Sequence, residues 1–429
     1  MLDIKFIREN SDKVKKNIKD RNMKIDIDAL LKLDEERRNI ILESEKLKNI
    51  RNKESDEIAT LKSQNKDSKA KIEEMKIVSQ KIKQFDQKVE EVDKNIQEIA
   101  LNIPNITHSS VPIGHDATHN KVVKTWGNVS KFDYKAKNHI ELAESLGIMS
   151  FSASSKITGS GFSLFKGNGA RLVRALMNFM IDLHVEKHGY KEIWPPALVN
   201  RDSMTNTGQL PRLKEDMYKL EGEELYLIPT AEVPVTNVHK NEILNEEDLP
   251  IYYTAYTPCF RKEAGSYGKE TKGLTRVHQF DKVEMVKFVK PETSWDELES
   301  LLANAEEVIQ LLEIPYRVIA LSTGDISFAA SKCYDIEIWA KASEKWLEVS
   351  SCSNFTDFQA RRANIKFRRT TNDGRRTTEY VHTLNGSGVA FARLIICLLE
   401  NNQNKDSSIN IPKALQPYMA GLKEFIPDA

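Results

Sequence analysis

Arg261 and Glu263 lie two residues apart in the string FRKEAGSYGKETKGLTRVHQFDKVE, residues 260–284, and are the first pair on which chemistry can be built. The Arg261 guanidinium is a planar fork suited to a phosphate or a carboxylate. Glu263 can accept from an exocyclic or backbone amine, and the Phe280 ring offers a face on which a base can stack. Together the three suit a nucleotide. Alternation through Tyr256, Cys259 and Phe260, and again through Val277, Phe280, Val283 and Met285, predicts two antiparallel strands joined by a loop from Ala264 to Thr275. Hairpin loops are mostly about 2 to 5 residues, and long ones tend to serve binding. This one carries Lys269 and Lys272, which suit an anionic partner. Glu348 and Ser351, at the end of a strand marked by Leu347 and Val349, supply a carboxylate and a hydroxyl, hard oxygens of the kind that hold Mg²⁺. In LNGSGVAFAR, residues 384–393, a glycine turn at Gly386 and Gly388 leads towards an apolar helix, Leu394 to Leu399, with Arg393 beside it. Pro229-Thr230-Ala231-Glu232 is a polar island after a strand, Leu225 to Ile228; it reads equally as a helix cap, since Thr followed shortly by Glu is a common N-terminal signal.

The elements that must hold these residues follow from periodicity. Strands cluster around 225–288 and 316–351, with helices between and outside them, which predicts an α+β fold. A helix around His139 to Leu146 precedes a longer one, Ala170 to Lys187, with Leu172, Leu176, Met180 and Leu183 on one face and Gly189 at its end. The next strand, Tyr190 to Val199, holds Pro195 and Pro196, which cannot both join a central ladder, so it belongs at an edge or an interface.

The first hundred residues differ in character. Residues 2–22 read as one or two short helices, with Ile7, Val14 and Ile18 inward and Asp3 as a cap. A long helix begins near Ala29 on an imperfect heptad seam (Leu30, Leu33, Ile40, Leu47, Ile58, Leu61), and a polar break spans Ser63 to Ser68. The second seam, Met75, Val78, Ile82, Phe85, Val89, Val92, Ile96, Ile99 and Ile103, keeps steps of three and four up to Pro104. Two such helices, each about 50 Å long at 1.5 Å per residue, should fold back as an antiparallel coiled-coil arm. The tip half, residues 46–83, holds 11 Lys or Arg against 6 Asp or Glu, whereas the root segments 30–45 and 84–100 hold 5 against 10. A basic tip on an acidic root points to phosphate contacts at the far end.

Phe-Arg-x-Glu, the loop and Arg276-Val277-His278-Gln279-Phe280 resemble motif 2 of the class II aminoacyl-tRNA synthetases, and the whole string resembles the seryl-tRNA synthetase family. The helix, glycine and Pro196 strand resemble motif 1, which builds a homodimer interface, and 384–393 resembles motif 3. The resemblance covers the chain from the first helices to about Gln403. It implies a class II antiparallel sheet flanked by helices (135–429), a linker (105–134) and an N-terminal tRNA-binding domain with the helical arm (1–104). By the same resemblance, serine is bound by Thr230, Ala231, Glu232, Arg261, Glu284, Asn385 and Ser387. ATP is bound by Arg261, Lys262, Glu263, Val277, Phe280, Glu348, Val349, Ser350, Ser351 and Arg393, with Glu348 and Ser351 on Mg²⁺ and Arg261, Glu263 and Arg393 as the catalytic set. Lys62, Lys66, Lys69, Lys71 and Lys76 are then the contacts of the arm to the long variable arm of serine tRNA. Two departures stand out: the loop has lysines where arginines are frequent, and Ala392 precedes the motif 3 arginine where the family usually has Gly. No zinc ligand set is visible, against the rare zinc-dependent form.

Composition sets the outer limits. Lys plus Arg equals Asp plus Glu at 63 each, so no global field draws the chain to nucleic acid, DNA included, and any such contact needs a local patch. Cys259, Cys333, Cys352 and Cys397 form no C-x-x-C site or disulfide framework, which fits a reduced cytoplasm. The charged N-terminus is unlike a signal peptide, and no run approaches 18 apolar residues, so no membrane association is expected. The 36 residues after Arg393 are too few for a C-terminal anticodon-binding domain, which leaves tRNA to the arm. The implied reaction is ATP-dependent serylation of serine tRNA through seryl-adenylate, with selenocysteine tRNA a further acceptor that the resemblance allows. A carrier-protein amino-acid ligase would lack the arm, and a non-catalytic coiled-coil scaffold would be free to lose Arg261, Glu263, Glu348 or Arg393.

Overall fold

The computed structural model describes residues 1–264, 272–370 and 374–427, so Lys269 of the long loop lies outside the described residues. The chain divides into two compact units, Leu2–Pro104 and Asn105–Ala429 (with Met1).

In the first unit, helices Ile4–Glu9 and Ser11–Asp20 bury Ile7, Val14 and Ile18, and the Asp3 carboxylate accepts from the Lys5 and Phe6 amides. Two long helices follow, α1 (Ile27–Ser63), capped by Asp26, and α2 (Lys69–Ala100). Along α2, Met75, Ile82 and Val92 are buried and Val78, Phe85, Val89, Ile96 and Ile99 half-buried, so the heptad stripe faces inward. Ion pairs between the helices fix their direction: Lys88 Nζ meets Glu36 at 3.0 Å, Lys48 meets Asp86 at 3.4 Å and Lys71 meets Glu54 at 2.8 Å. Rising numbers on α1 meet falling numbers on α2, the signature of an antiparallel hairpin.

In the second unit one eight-stranded sheet positions everything else. Its strands are β1 (Lys121–Trp126), β2 (Lys191–Glu192), β3 (Ile251–Phe260), β4 (Gln279–Val289), β5 (Tyr316–Ala320), β6 (Lys332–Ala340), β7 (Lys345–Asn354) and β8 (His382–Ala390), in the order β1-β5-β6-β7-β8-β4-β3-β2. Only the β2–β3 pair is parallel. One face is apolar: Val283, Met285, Ile336, Ile338 and Cys352 meet helices α3 (Asn168–Asp182), α4 (Ser294–Leu311) and α5 (Phe391–Asn401) through Leu172, Leu176, Met180, Leu301 and Leu394. The opposite face carries the polar residues of the site.

Three expectations need correction. The segment 105–134 is more than a linker, since it supplies edge strand β1, and the Asn105 amide donates to the carbonyls of Ala329 (3.0 Å) and Phe355 (2.7 Å). The single strand expected over Tyr190 to Val199 is split at its prolines: Lys191–Glu192 joins the main sheet, and Leu198–Asn200 pairs with Leu225–Leu227 instead. The glycine turn expected before Arg393 is a strand, because β7 and β4 supply ladder partners on both sides of β8. There the glycines serve packing. A Cβ on Gly386 would lie 2.9 Å from Cys352 Sγ, and one on Gly388 would lie 2.6 Å from Nε2 of the buried His184. Overpacking of this kind costs about 1–3 kcal/mol, so Gly388→Ala should lower the urea midpoint accordingly. An unchanged midpoint would mean that His184 yields freely.

Candidate active site

Strand periodicity and two interruptions of it assemble the site. Phe280, Lys282 and Glu284 alternate along β4 and share the face opposite Val283 and Met285. Lys282 Nζ lies 2.5 Å from Glu284 Oε2 and donates to Thr230 Oγ1 at 2.7 Å, while Ser387 Oγ donates to the same Glu284 oxygen at 3.4 Å. On β7 the pairing with β6 skips Val349: Glu348 faces Glu337 and Ser350 faces Ile336. In an unbroken strand, residues three apart point to opposite faces. The extra residue resets the alternation, so Glu348 and Ser351 share one face. A second irregularity, between Ser387 and Ala390 of β8, includes Val389 at φ 109°.

A cavity of about 800 Å³ opens on this face, within the range of small-molecule sites. Thr230, Glu232, Arg261, Glu263, Val277, Phe280, Glu284, residues 348–351, Asn385, Ser387 and Arg393 all line it. Ala231 and Lys262, expected alongside them, do not: Ala231 is fully buried, and the Lys262 ammonium lies over the Tyr218 ring at 5.7 Å. Arg261 sits just beyond β3, its amide donating to the His278 carbonyl (2.9 Å), its Nε to the Pro229 carbonyl (3.3 Å), and its guanidinium 5.2 Å from the centre of the Phe280 ring. Glu263 accepts from Arg276 at 2.7 Å. Arg393, in the first turn of α5, donates to the Glu348 carbonyl at 2.8 Å and lies 3.5 Å from its carboxylate. At the island 229–232, Thr230 Oγ1 accepts from the Glu232 amide (3.3 Å) just ahead of helix Glu232–Thr236, whose N-cap position is Ala231 with no side-chain cap, and Thr230 and Glu232 both line the cavity.

The electrostatics are those of a desolvated pocket. Burial, then the neighbouring Glu284, pushes the Glu232 carboxyl up to about 7. Burial, then Glu348, holds Asp335, paired across β6–β7 with Ser351, well above the usual carboxylate range. Among the described residues no cluster of three or more His, Cys, Asp or Glu is placed to hold a metal.

On the arm, Lys62, Lys66 and Lys69 are exposed and make no ion pair among the described residues. Lys71 is held by Glu54 (2.8 Å) and Glu57 (2.6 Å), and Lys76 by Glu73 (2.8 Å).

Two family models match the chain: the seryl-tRNA synthetase N-terminal domain over residues 1–107, and the tRNA synthetase class II core domain (G, H, P, S and T) over residues 217–402. A Serine--tRNA ligase of Thermodesulfovibrio yellowstonii is 53% identical over 422 residues, 98% of this chain and 99% of that one. The chain belongs to the seryl-tRNA synthetase family. The Serine--tRNA ligase of Caldanaerobacter subterraneus subsp. tengcongensis is 55% identical over 419 residues, 98% of each chain. Among solved structures, a seryl-tRNA synthetase from Pyrococcus horikoshii complexed with ATP superimposes with a TM-score of 0.92 at 39% identity, covering all of both chains. The fold is therefore that of a class II synthetase, and the long helices α1 and α2 are its N-terminal coiled-coil arm.

Three residues at the site escaped the sequence reading. Lys282 was legible in principle, since it stands two before Glu284 on a strand and so shares its face. Arg276, the partner of Glu263, stood within the motif 2 string without an assigned role. Gln359, whose amide donates to Glu232 at 2.7 Å, lies on a six-residue helix with no local signal of function.

Proposed function

We propose that the protein attaches L-serine to serine tRNA in two steps: serine and MgATP give seryl-adenylate and pyrophosphate, and the seryl group then passes to the terminal ribose of the tRNA. The observation that carries this is the company kept in one cavity: a buried cluster of carboxylates and hydroxyls (Thr230, Glu232, Glu284, Ser387) beside the guanidinium groups of Arg261 and Arg393. The first cluster suits a small amino acid bearing a hydroxyl, the second a polyphosphate.

Neither step needs an activated side-chain nucleophile, because the serine carboxylate and then the ribose hydroxyl attack. Catalysis is positioning and charge stabilisation. Arg261 bridges the serine carboxylate and the α-phosphate, and Arg393 neutralises the β- and γ-phosphates. Glu263 and the Val277 backbone read adenine, which stacks on Phe280; Val349 and Ser350 line the same space. Thr230 and Glu232 take the substrate ammonium, and Glu284 with Ser387 its hydroxyl, Asn385 standing beside them. Mg²⁺ arriving with ATP would be held by Glu348 and Ser351, hard donors turned to one face by the extra residue at Val349, and would add to the charge neutralisation. The exposed lysines of the arm tip, Lys62, Lys66 and Lys69 foremost, take tRNA phosphates. A homodimer joined near β2 fits the exposure of Trp194 (71%) and Leu198 (40%) beside the two prolines. The working compartment is the cytoplasm; no helix among the described residues is long and apolar enough to cross a membrane.

Pyrophosphate exchange with each of the twenty amino acids tests the assignment. Alanine leaves Glu284 and Ser387 without their partner and should be rejected by roughly 10⁴-fold or more. Threonine, which differs by one methyl, should be excluded by about 10 to 200-fold. Comparable activation of alanine and serine would sink it.

A further inference from the structure

Gln359 occupies a place that no role above explains. It is the second residue of helix Phe358–Ala363, is 1% exposed and does not line the cavity. Three of its four hydrogen-bonding positions are used, both donors and one of the two on the oxygen. Nε2 donates to Glu232 Oε1 at 2.7 Å and to the Thr207 carbonyl at 3.3 Å, and Oε1 accepts from Thr383 Oγ1 at 2.8 Å. A backbone carbonyl can only accept, so the contact with Thr207 fixes which end of the amide faces Glu232. The Thr383 hydroxyl, itself fully buried, completes the arrangement from β8. Glu232, at the end of this chain of bonds, lines the cavity.

We propose that Gln359 is a positioning residue for the substrate's amine: oriented by Thr207 and Thr383, it holds one oxygen of Glu232 and leaves the other for the incoming ammonium. The inference rests on Glu232 taking that ammonium, as proposed above. A glutamate in so buried a place has to be kept both aimed and ionised. The charged groups nearest it are Lys282 and Glu284 on β4; the neighbours from β8 and from the helix of Gln359 are the neutral amides of Asn385 and Gln359. Burial and Glu284 raise its proton affinity; the Gln359 hydrogen bond opposes them most, followed by the Lys282 charge and a hydrogen bond from Asn385. Because an ammonium needs the ionised form, kcat/KM for serine should fall as pH drops through the Glu232 value, about 7. Loss of the Gln359 donor raises that value further and moves the acid limb to higher pH.

The test is serine-dependent pyrophosphate exchange by the full chain and its Gln359→Met and Thr383→Val variants between pH 6 and pH 8.5. Gln359→Met keeps the length and apolar volume but neither donates to Glu232 nor accepts from Thr383. At pH 7 it should raise KM for serine roughly 10-fold or more, leave KM for ATP within about twofold, and recover much of the deficit by pH 8.5. Thr383→Val frees the amide without removing it and should shift the same limb less far; it decides the matter if the first variant does not fold. A purely structural role would instead lower kcat, affect both substrates alike and leave the acid limb in place, and that outcome overturns the proposal. Wild-type exchange that depends on another amino acid would overturn the serine assignment. The pH comparison made with that amino acid would still judge Gln359, since the amine is common to all.

Discussion

Arg261→Ala should abolish serine-dependent pyrophosphate exchange, a loss of at least about 10²- to 10³-fold, while the protein stays folded. The reason lies in what the side chain does and does not hold. Its backbone amide, which the substitution keeps, ties the end of β3 to His278 at 2.9 Å. The guanidinium makes a 3.3 Å hydrogen bond to the Pro229 carbonyl and lies over Phe280, contacts worth little to the fold. In the transition state the same fork faces two anions at once, the attacking carboxylate and the α-phosphate. Arg261→Lys keeps the charge and loses the fork, and should fall between wild type and alanine. Thermal melting measured beside exchange separates the outcomes: exchange at near wild-type rate with an unchanged Tm would remove Arg261 from the site.

Replacing residues 36–96 by a short Gly-Ser linker should leave adenylate formation within a few-fold and stop transfer to tRNA. The excision takes most of α1 and α2 together, so the heptad stripe leaves with its partner and the interhelical pairs Glu36–Lys88, Lys48–Asp86 and Glu54–Lys71 vanish in both members. Every residue assigned to serine and ATP lies after position 229, in the unit Asn105–Ala429 with its own core. What is lost is the basic tip, and with it the salt-sensitive share of tRNA affinity. Charge reversal at Lys62, Lys66 and Lys69 should weaken tRNA binding and flatten its dependence on salt. Reversal of Lys71 should do less, because its ammonium already serves Glu54 and Glu57. Charging of serine tRNA at the full-length rate by the truncated protein would take tRNA recognition away from the arm.

Features with a short repeat were readable before any coordinates. The run Met75, Ile82, Val92 declares a coiled coil because three-and-four spacing has one geometric solution, and Val283 and Met285, alternating with Lys282 and Glu284, declare a strand because alternate residues must meet different surroundings. Features that depend on partners far along the chain were not. Gly386 and Gly388 look like a turn in isolation, and only β7 and β4 on either side make them strand. The prolines at 195 and 196 announce an irregular edge, but not that Leu198 leaves the sheet to pair with Leu227. Val122 and Val123 are exposed on an edge strand, so the 105–134 segment lacks the burial pattern that would have betrayed β1. Gln359 meets Glu232 across 127 positions, a contact that tertiary packing alone creates. Lys282 is different: a strand period of two already puts it on the same face as Glu284.

The unpaired residue in β7 bears on how such a site could be moved or lost. Side chains before Val349 and those after it run in opposite phase, Leu347 and Ser350 towards one side, Glu348 and Ser351 towards the other. Copying Glu and Ser at this spacing onto a regular strand would therefore aim them apart. A transplant has to carry the insertion as well as the ligands. Loss of Val349 itself would leave Glu348 opposite Glu337 and Ser350 opposite Ile336, the facing of both unchanged. A further one-codon insertion in the regular part of the strand is no neutral change, because with nothing to absorb it the two surfaces of half a strand are exchanged, and no substitution elsewhere on that strand restores the phase.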